Sequence, residues 1–181
     1  MQLFIMRHGE AQNPFGHSLS CDSERELTPQ GNFDTQLMAD WLTKNNVTVA
    51  HFWVSPFIRA QQTAGIISKN IKAAFETLTY ITPAGDAKQV HDYIDTFIAD
   101  QLSKSKESTA NDDTDNEANN KNLQALFIVS HMPLVSYLVA ELTQYQAAPI
   151  FATAAIAQID YDPKSMKGVL VRLISPLELT Q

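Results

Sequence analysis

Cysteine is nearly absent: the chain of 181 residues holds one, Cys21, in a polar stretch. No internal disulfide can form, which suits a reducing compartment, and Cys21 reads as incidental. Nor does any run approach the roughly 18 consecutive apolar residues of a membrane-spanning helix. The first residues lack the basic region, hydrophobic stretch and cleavage site of an export signal, so a cytoplasmic location and no membrane attachment are expected. A basic excess is missing too. Against 20 Asp and Glu stand 13 Lys and Arg, a net charge of −7 that argues against general affinity for nucleic acid or anionic membranes. Any phosphate site must be a local cluster of cations. What remains is 44% hydrophobic and 18% charged, with no internal repeat, and fits a single domain over 1–181, expected as a monomer.

Strands and helices alternate along the chain. Residues 2–6, QLFIM, form a short buried strand, and a polar loop from Glu10 to Glu26 follows. Thr28-Pro29 supplies a cap and a proline at the first helical position, before Phe33, Leu37, Met38, Trp41 and Leu42 at helical spacing. Residues 50–54 are the second strand; Ser55-Pro56 repeats the cap-then-proline start for a helix reaching about Asn70. A third strand near Phe75 to Leu78 precedes a helix marked by Val90, Ile94, Phe97, Ile98 and Leu102. Residues 103–122, SKSKESTANDDTDNEANNKN, hold no large apolar side chain, cannot join a core, and predict a disordered insert. The strand 124–130 then runs into His131, a helix starts at Met132-Pro133, and residues 154–161 and 168–174 form a closing hairpin around Asp162-Pro163. The pattern predicts a three-layer α/β/α fold, a mainly parallel sheet with helices on both faces.

Ligands in such sheets bind beyond the carboxyl ends of the strands. There the first strand delivers Arg7-His8-Gly9, the fourth delivers His131, and Arg59 lies in the first turn of the helix after the second strand. Arg7 and Arg59 can each fork onto two oxygens of a tetrahedral dianion, and His131 at a helix start can donate to a third. A neutral imidazole against a phosphoryl group flanked by guanidinium groups is a competent nucleophile, and the same cations disfavour imidazolium. The residues predict phosphoryl transfer to His8 followed by hydrolysis.

Four segments carry a resemblance: Arg7-His8-Gly9-Glu10; Leu27-Thr28-Pro29-Gln30-Gly31; Ser55-Pro56-Phe57-Ile58-Arg59-Ala60-Gln61-Gln62-Thr63-Ala64; and Ser130-His131. In this order the chain resembles the histidine phosphatase superfamily, which has the phosphoglycerate mutase-like fold. The similarity extends along nearly the full length to its small phosphohistidine phosphatases. It implies a catalytic core of Arg7, His8, Arg59 and His131, with His8 carrying the transient phosphoryl group, and adds Arg25 as a phosphate or substrate contact set against a surface salt bridge.

One departure shapes the expected chemistry. Larger members carry a glutamate after the third strand that protonates a leaving alkoxide, where this chain has Leu78-Thr79-Tyr80. Ester cleavage without that acid is handicapped, whereas imidazole, with an unperturbed pKa of about 6.5, leaves readily at neutral pH. Asp86 and Glu76 are the candidate acids; their simpler roles are a helix N-cap and a solvated strand position. The resemblance suggests as partner a phosphohistidine-carrying protein, either a two-component phosphotransfer domain or a phosphotransferase-system phosphocarrier, entering an open pocket without lids. The alternatives are a small-molecule phosphomonoesterase and a non-catalytic phosphohistidine-binding module. His17 reads as solvated and His51 and His91 as surface or core-edge residues. No metal spacing such as His-Glu-x-x-His occurs, and activity without metal or cofactor is expected.

Overall fold

The computed structural model describes residues 1–13, 21–71, 73–108 and 125–180. Six strands form one sheet: β1 (Gln2–Arg7), β2 (Val49–Val54), β3 (Ala74–Thr77), β4 (Ala125–Ser130), β5 (Ile156–Asp162) and β6 (Lys167–Ile174). Their order is β3-β2-β4-β1-β5-β6. The first four are mutually parallel, while β5 runs antiparallel to both β1 and β6. The sheet is therefore mixed, with β5 as its one reversed strand. Helices α1 (Pro29–Lys44), α2 (Ile58–Ile67), α3 (Ala87–Ser108) and α4 (Leu134–Leu142) cover it, and α5 (Pro176–Leu179) follows the last strand.

The continuous apolar runs of β1 and β4 follow from burial on both sides. Leu3, Ile5, Leu126 and Ile128 pack with Val90, Ile94 and Ile98 of α3 and with Leu134, Val135 and Leu138 of α4. Phe4, Met6, Phe127 and Val129 pack with Met38 and Leu42 of α1 and Ala60, Ala64 and Ile67 of α2. Alternate side chains of the same strands thus bind the two helical layers, and the parallel register Arg7↔Ser130 brings the ends of β1 and β4 level.

The start of α1 is clamped to the loop after β1. The Thr28 hydroxyl accepts from the Gly31 amide at 3.0 Å and donates to Glu10 Oε1 at 2.7 Å, and the Thr28 amide donates to the Glu10 carbonyl at 2.9 Å. A Cβ on Gly31 would overlap that carbonyl, and one on Gly9 would lie 2.6 Å from Thr35 Oγ1. Glycine here lets the chain after β1 lie directly on the first turn of α1.

Three expectations need correcting. Ser55-Pro56 does not cap the second helix, which begins at Ile58 after Phe57; Ser55 instead prolongs β2, its amide donating to the Val129 carbonyl at 3.1 Å. Phe33, expected on the buried stripe of α1, is 55% exposed. Helix α3 extends through Ser108, so the insert expected from 103 begins as helix, with Lys104 paired to Asp100 at 2.7 Å. Residues 109–122 of that insert, and His17 in the polar loop, lie outside the described residues.

Candidate active site

Because β1, β2 and β4 are parallel, their carboxyl ends open on one side, and His8, Ser55 and His131 are the residues that leave them. Backbone bonds fix all three positions: the His8 amide donates to the Ser130 carbonyl at 3.0 Å and the Ala154 amide to the His8 carbonyl at 3.1 Å, the Ser55 amide donates to Val129, and the Val135 amide donates to the His131 carbonyl at 3.0 Å. The rings of His8 and His131 lie 4.9 Å apart at 57°.

His8 is 8% exposed and held in one tautomer. Its Nδ1 faces the Gly9 carbonyl at 2.6 Å, an oxygen that can only accept, so Nδ1 carries the proton. Nε2 faces Arg59 Nε–H at 3.1 Å, a group that can only donate, so Nε2 presents its lone pair. Burial lowers the imidazole pKa to about 4; the Gly9 bond opposes this, and the charges of Arg59, Arg7 and Arg25 reinforce it. The ring is neutral at physiological pH, with the unprotonated Nε2 against a guanidinium.

His131 is 1% exposed. Burial, then His8 and Arg59, hold its imidazole neutral as well. Its Nε2 lies 2.7 Å from the Ser55 hydroxyl. Among the described residues, the buried side-chain polar atoms without a hydrogen-bond partner are Arg7 Nε, His131 Nδ1 and Tyr80 Oη. Two of these three belong to the site. If the Ser55 hydroxyl donates to Nε2, His131 Nδ1–H and Arg7 Nε–H become two enclosed donors suited to anionic oxygens.

Arg7 is anchored through Nη1 to the Phe151 carbonyl at 2.7 Å. Arg59, 3% exposed, uses Nε on His8, Nη1 on the Asp22 carbonyl at 2.5 Å and Nη2 on Asp22 Oδ2 at 2.9 Å. Desolvation lowers the pKa of both arginines from the ordinary value, yet a guanidinium remains charged at any physiological pH. Arg25 donates to the Gln12 carbonyl at 2.5 Å and to Asp22 Oδ1 at 2.9 Å. The structure thus brings together Arg7, His8, Arg59 and His131, with Arg25 joined through Asp22.

The candidate acids have other partners. Asp86 accepts the Gln89 amide at 3.0 Å as the cap of α3. Glu76 is exposed on β3 and accepts from Tyr93 Oη at 3.3 Å. Tyr80 packs edge-on against Tyr93 at 5.7 Å, and burial, then Tyr93 and Glu76, push its phenol upward so that it keeps its proton. His51 packs edge-on against Phe97, and His91 meets the Tyr161 hydroxyl at 2.7 Å. Among the described residues no group of three or more His, Cys, Asp or Glu could hold a metal ion, and no helix is long and apolar enough to cross a membrane.

Three contributors escaped sequence reasoning. Ser55, in a cap-then-proline pattern, instead supports His131. Thr63 accepts a hydrogen bond from the Gly9 amide at 3.0 Å and donates to the Arg59 carbonyl at 2.7 Å, tying α2 to the loop that follows His8; its position one turn after Arg59 was the available signal. Asp22, three residues before Arg25, pairs with Arg59.

The family model for the Histidine phosphatase superfamily (branch 1) matches residues 3–81. Phosphohistidine phosphatase SixA of Escherichia coli (strain K12) is 34% identical, the alignment covering 99% of this chain and 96% of that protein. The chain belongs to the SixA family of histidine phosphatases. A SixA homolog of Haemophilus influenzae is 30% identical, with 98% of each chain covered. Among solved structures, the protein histidine phosphatase SixA complexed with tungstate superposes with a TM-score of 0.80 at 34% identity, covering 99% of both chains. A phosphoserine phosphatase of Entamoeba histolytica, at 17% identity, 96% coverage of each chain and a TM-score of 0.56, shares the fold. The expected phosphoglycerate mutase-like α/β architecture is that of the SixA structure.

Proposed function

We propose that the protein is a phosphohistidine phosphatase that removes phosphate from a phosphohistidine-carrying protein through a phospho-His8 intermediate. The observation that carries the reading is His8 itself: buried, neutral, with Nδ1–H spent on Gly9 and the Nε2 lone pair set against Arg59. The SixA structure that superposes on the chain holds tungstate, a tetrahedral oxyanion shaped like phosphate.

In the first step Nε2 of His8 attacks the phosphorus, the new N–P bond forming as the substrate's N–P bond breaks. The electron pair of the broken bond returns to the substrate imidazole, which departs neutral when its other nitrogen carries a proton. One imidazole replaces another, so the step is close to thermoneutral and needs no strong acid. Arg7, Arg59 and His131 Nδ1–H hold the phosphoryl oxygens and spread the charge of the loose transition state. In the second step water attacks the phosphorus, the bond to Nε2 breaks, His8 regains its lone pair, and the two protons of the water leave with the phosphate.

Lacking a glutamate at Tyr80, the site favours an imidazole over an alkoxide as leaving group. The fitting substrates are cytoplasmic two-component phosphotransfer domains or phosphotransferase-system phosphocarriers. Side-by-side turnover of such a phosphoprotein and of a phosphate monoester tests the assignment. At least a hundredfold preference in kcat/KM for the phosphoprotein is expected; a preference for the monoester would overturn it.

A further inference from the structure

Every nitrogen of the Arg59 guanidinium already has a partner. Nε–H and Nη2–H lie on one edge of the planar guanidinium, the edge that clasps two oxygens of a phosphate side-on. Here Nε–H points to His8 Nε2 at 3.1 Å and Nη2–H to Asp22 Oδ2 at 2.9 Å. The second oxygen of the same carboxylate takes Arg25 Nη1 at 2.9 Å. Asp22 therefore bridges two arginines in the way an oxyanion would, one guanidinium on each oxygen.

Its attachment is built to be exchanged. The side chain is 51% exposed and belongs to a three-residue 3-10 turn, Asp22–Glu24, that buries no residue. Burial alone would raise its pKa, but hydrogen bonds from Arg25 and Arg59 prevail and lower it, so the group is a carboxylate at neutral pH. The Asp22 carbonyl separately holds Arg59 Nη1 at 2.5 Å, so the guanidinium stays placed when the carboxylate swings away.

We infer that Asp22 is a resident counter-anion: its carboxylate occupies Arg59 between turnovers, yields Nη2 to the incoming phosphoryl group, and returns as phosphate leaves. The inference rests on the reading of the pocket as a phosphoryl site. A carboxylate that merely positioned Arg59 would strengthen phosphate binding, whereas one that competes for the same donors weakens it, so the two roles predict opposite signs.

The test measures the dissociation constant of inorganic phosphate, and its inhibition of phosphoprotein turnover, for the wild-type chain, Asp22→Asn and Asp22→Ser. Both variants are expected to bind phosphate about three- to fivefold more tightly, the scale of a half-exposed ion pair, with the gain shrinking as salt is added. Unchanged or weaker binding in folded variants would overturn the inference. A wild-type measurement stands beside it: the carboxyl carbon resonance of Asp22, titrated with and without phosphate, should show the carboxyl pKa rising when phosphate takes Arg59, and no rise would equally overturn it. If wild-type protein neither binds phosphate nor is inhibited by it, the phosphoryl-site reading fails and takes this inference with it. If phosphate binds and competes normally but the variants bind no tighter, Asp22 alone has been misread.

Discussion

Acid should strip stability from this protein through His8, in an amount the structure sets. The folded imidazole has a pKa of about 4 where the ordinary value is 6.5, burial being the main cause. As pH falls below about 6.5 the unfolded chain takes up a proton that the folded chain refuses until about 4, so the unfolded state binds more protons in this window and stability declines with pH. The whole gap corresponds to roughly 3 kcal/mol, of which about 1 kcal/mol is lost by about pH 5.5 and most of the rest by about pH 4.5. His131, also held neutral by burial, adds in the same direction. Urea unfolding of wild-type protein and His8→Gln at about pH 7.5, 5.5 and 4.5 isolates the His8 share as the difference between the two curves. Relative to the variant, wild type should lose stability in the stated amounts. Parallel curves would refute the claim that the fold keeps the nucleophile deprotonated.

Other expectations follow from single contacts. Ser55→Ala removes the hydroxyl 2.7 Å from His131 Nε2, and steady-state kinetics should show kcat down about tenfold, while the unpaired buried nitrogen costs about 1–3 kcal/mol in urea unfolding; unaltered kcat would deny Ser55 its part. Gly31→Ala drives a methyl into the Glu10 carbonyl and should cost about 2–3 kcal/mol in urea unfolding, while a neutral effect would mean that the loop gives way freely. Glu76→Gln and Asp86→Asn should each keep phosphoprotein turnover within about twofold, since neither carboxylate contacts the histidines; a tenfold loss in either would restore it as the acid.

Much of this architecture is legible in sequence because burial writes a simple pattern. β1 and β4 read as strands since both their faces are covered, and His8 and His131 could be placed together because parallel neighbours end on one side. Legibility ends where a contact has no periodicity behind it. Asp22 sits in a short turn of a polar loop, 37 residues from Arg59 in the chain, and nothing local marks it as a partner. Ser55-Pro56 imitates a helix start, but strand pairing claims the Ser55 amide and His131 claims its hydroxyl. Composition misplaced the start of the insert for a different reason: a helix emerging from the core needs no apolar side chains, and the Asp100 to Lys104 spacing supports its solvated continuation. Exposure of Phe33 was equally invisible, since helical spacing states which residues share a face and not how far the neighbouring layer reaches.

The central claim is that phosphate passes through Nε2 of His8. Rapid mixing of radiolabelled phosphohistidine protein with the enzyme, quenched in alkali, measures this directly. Label should appear transiently on wild-type protein in an acid-labile, alkali-stable form and be absent from a folded His8→Ala variant. Full turnover by that variant, or label that persists on it, would contradict a His8 intermediate.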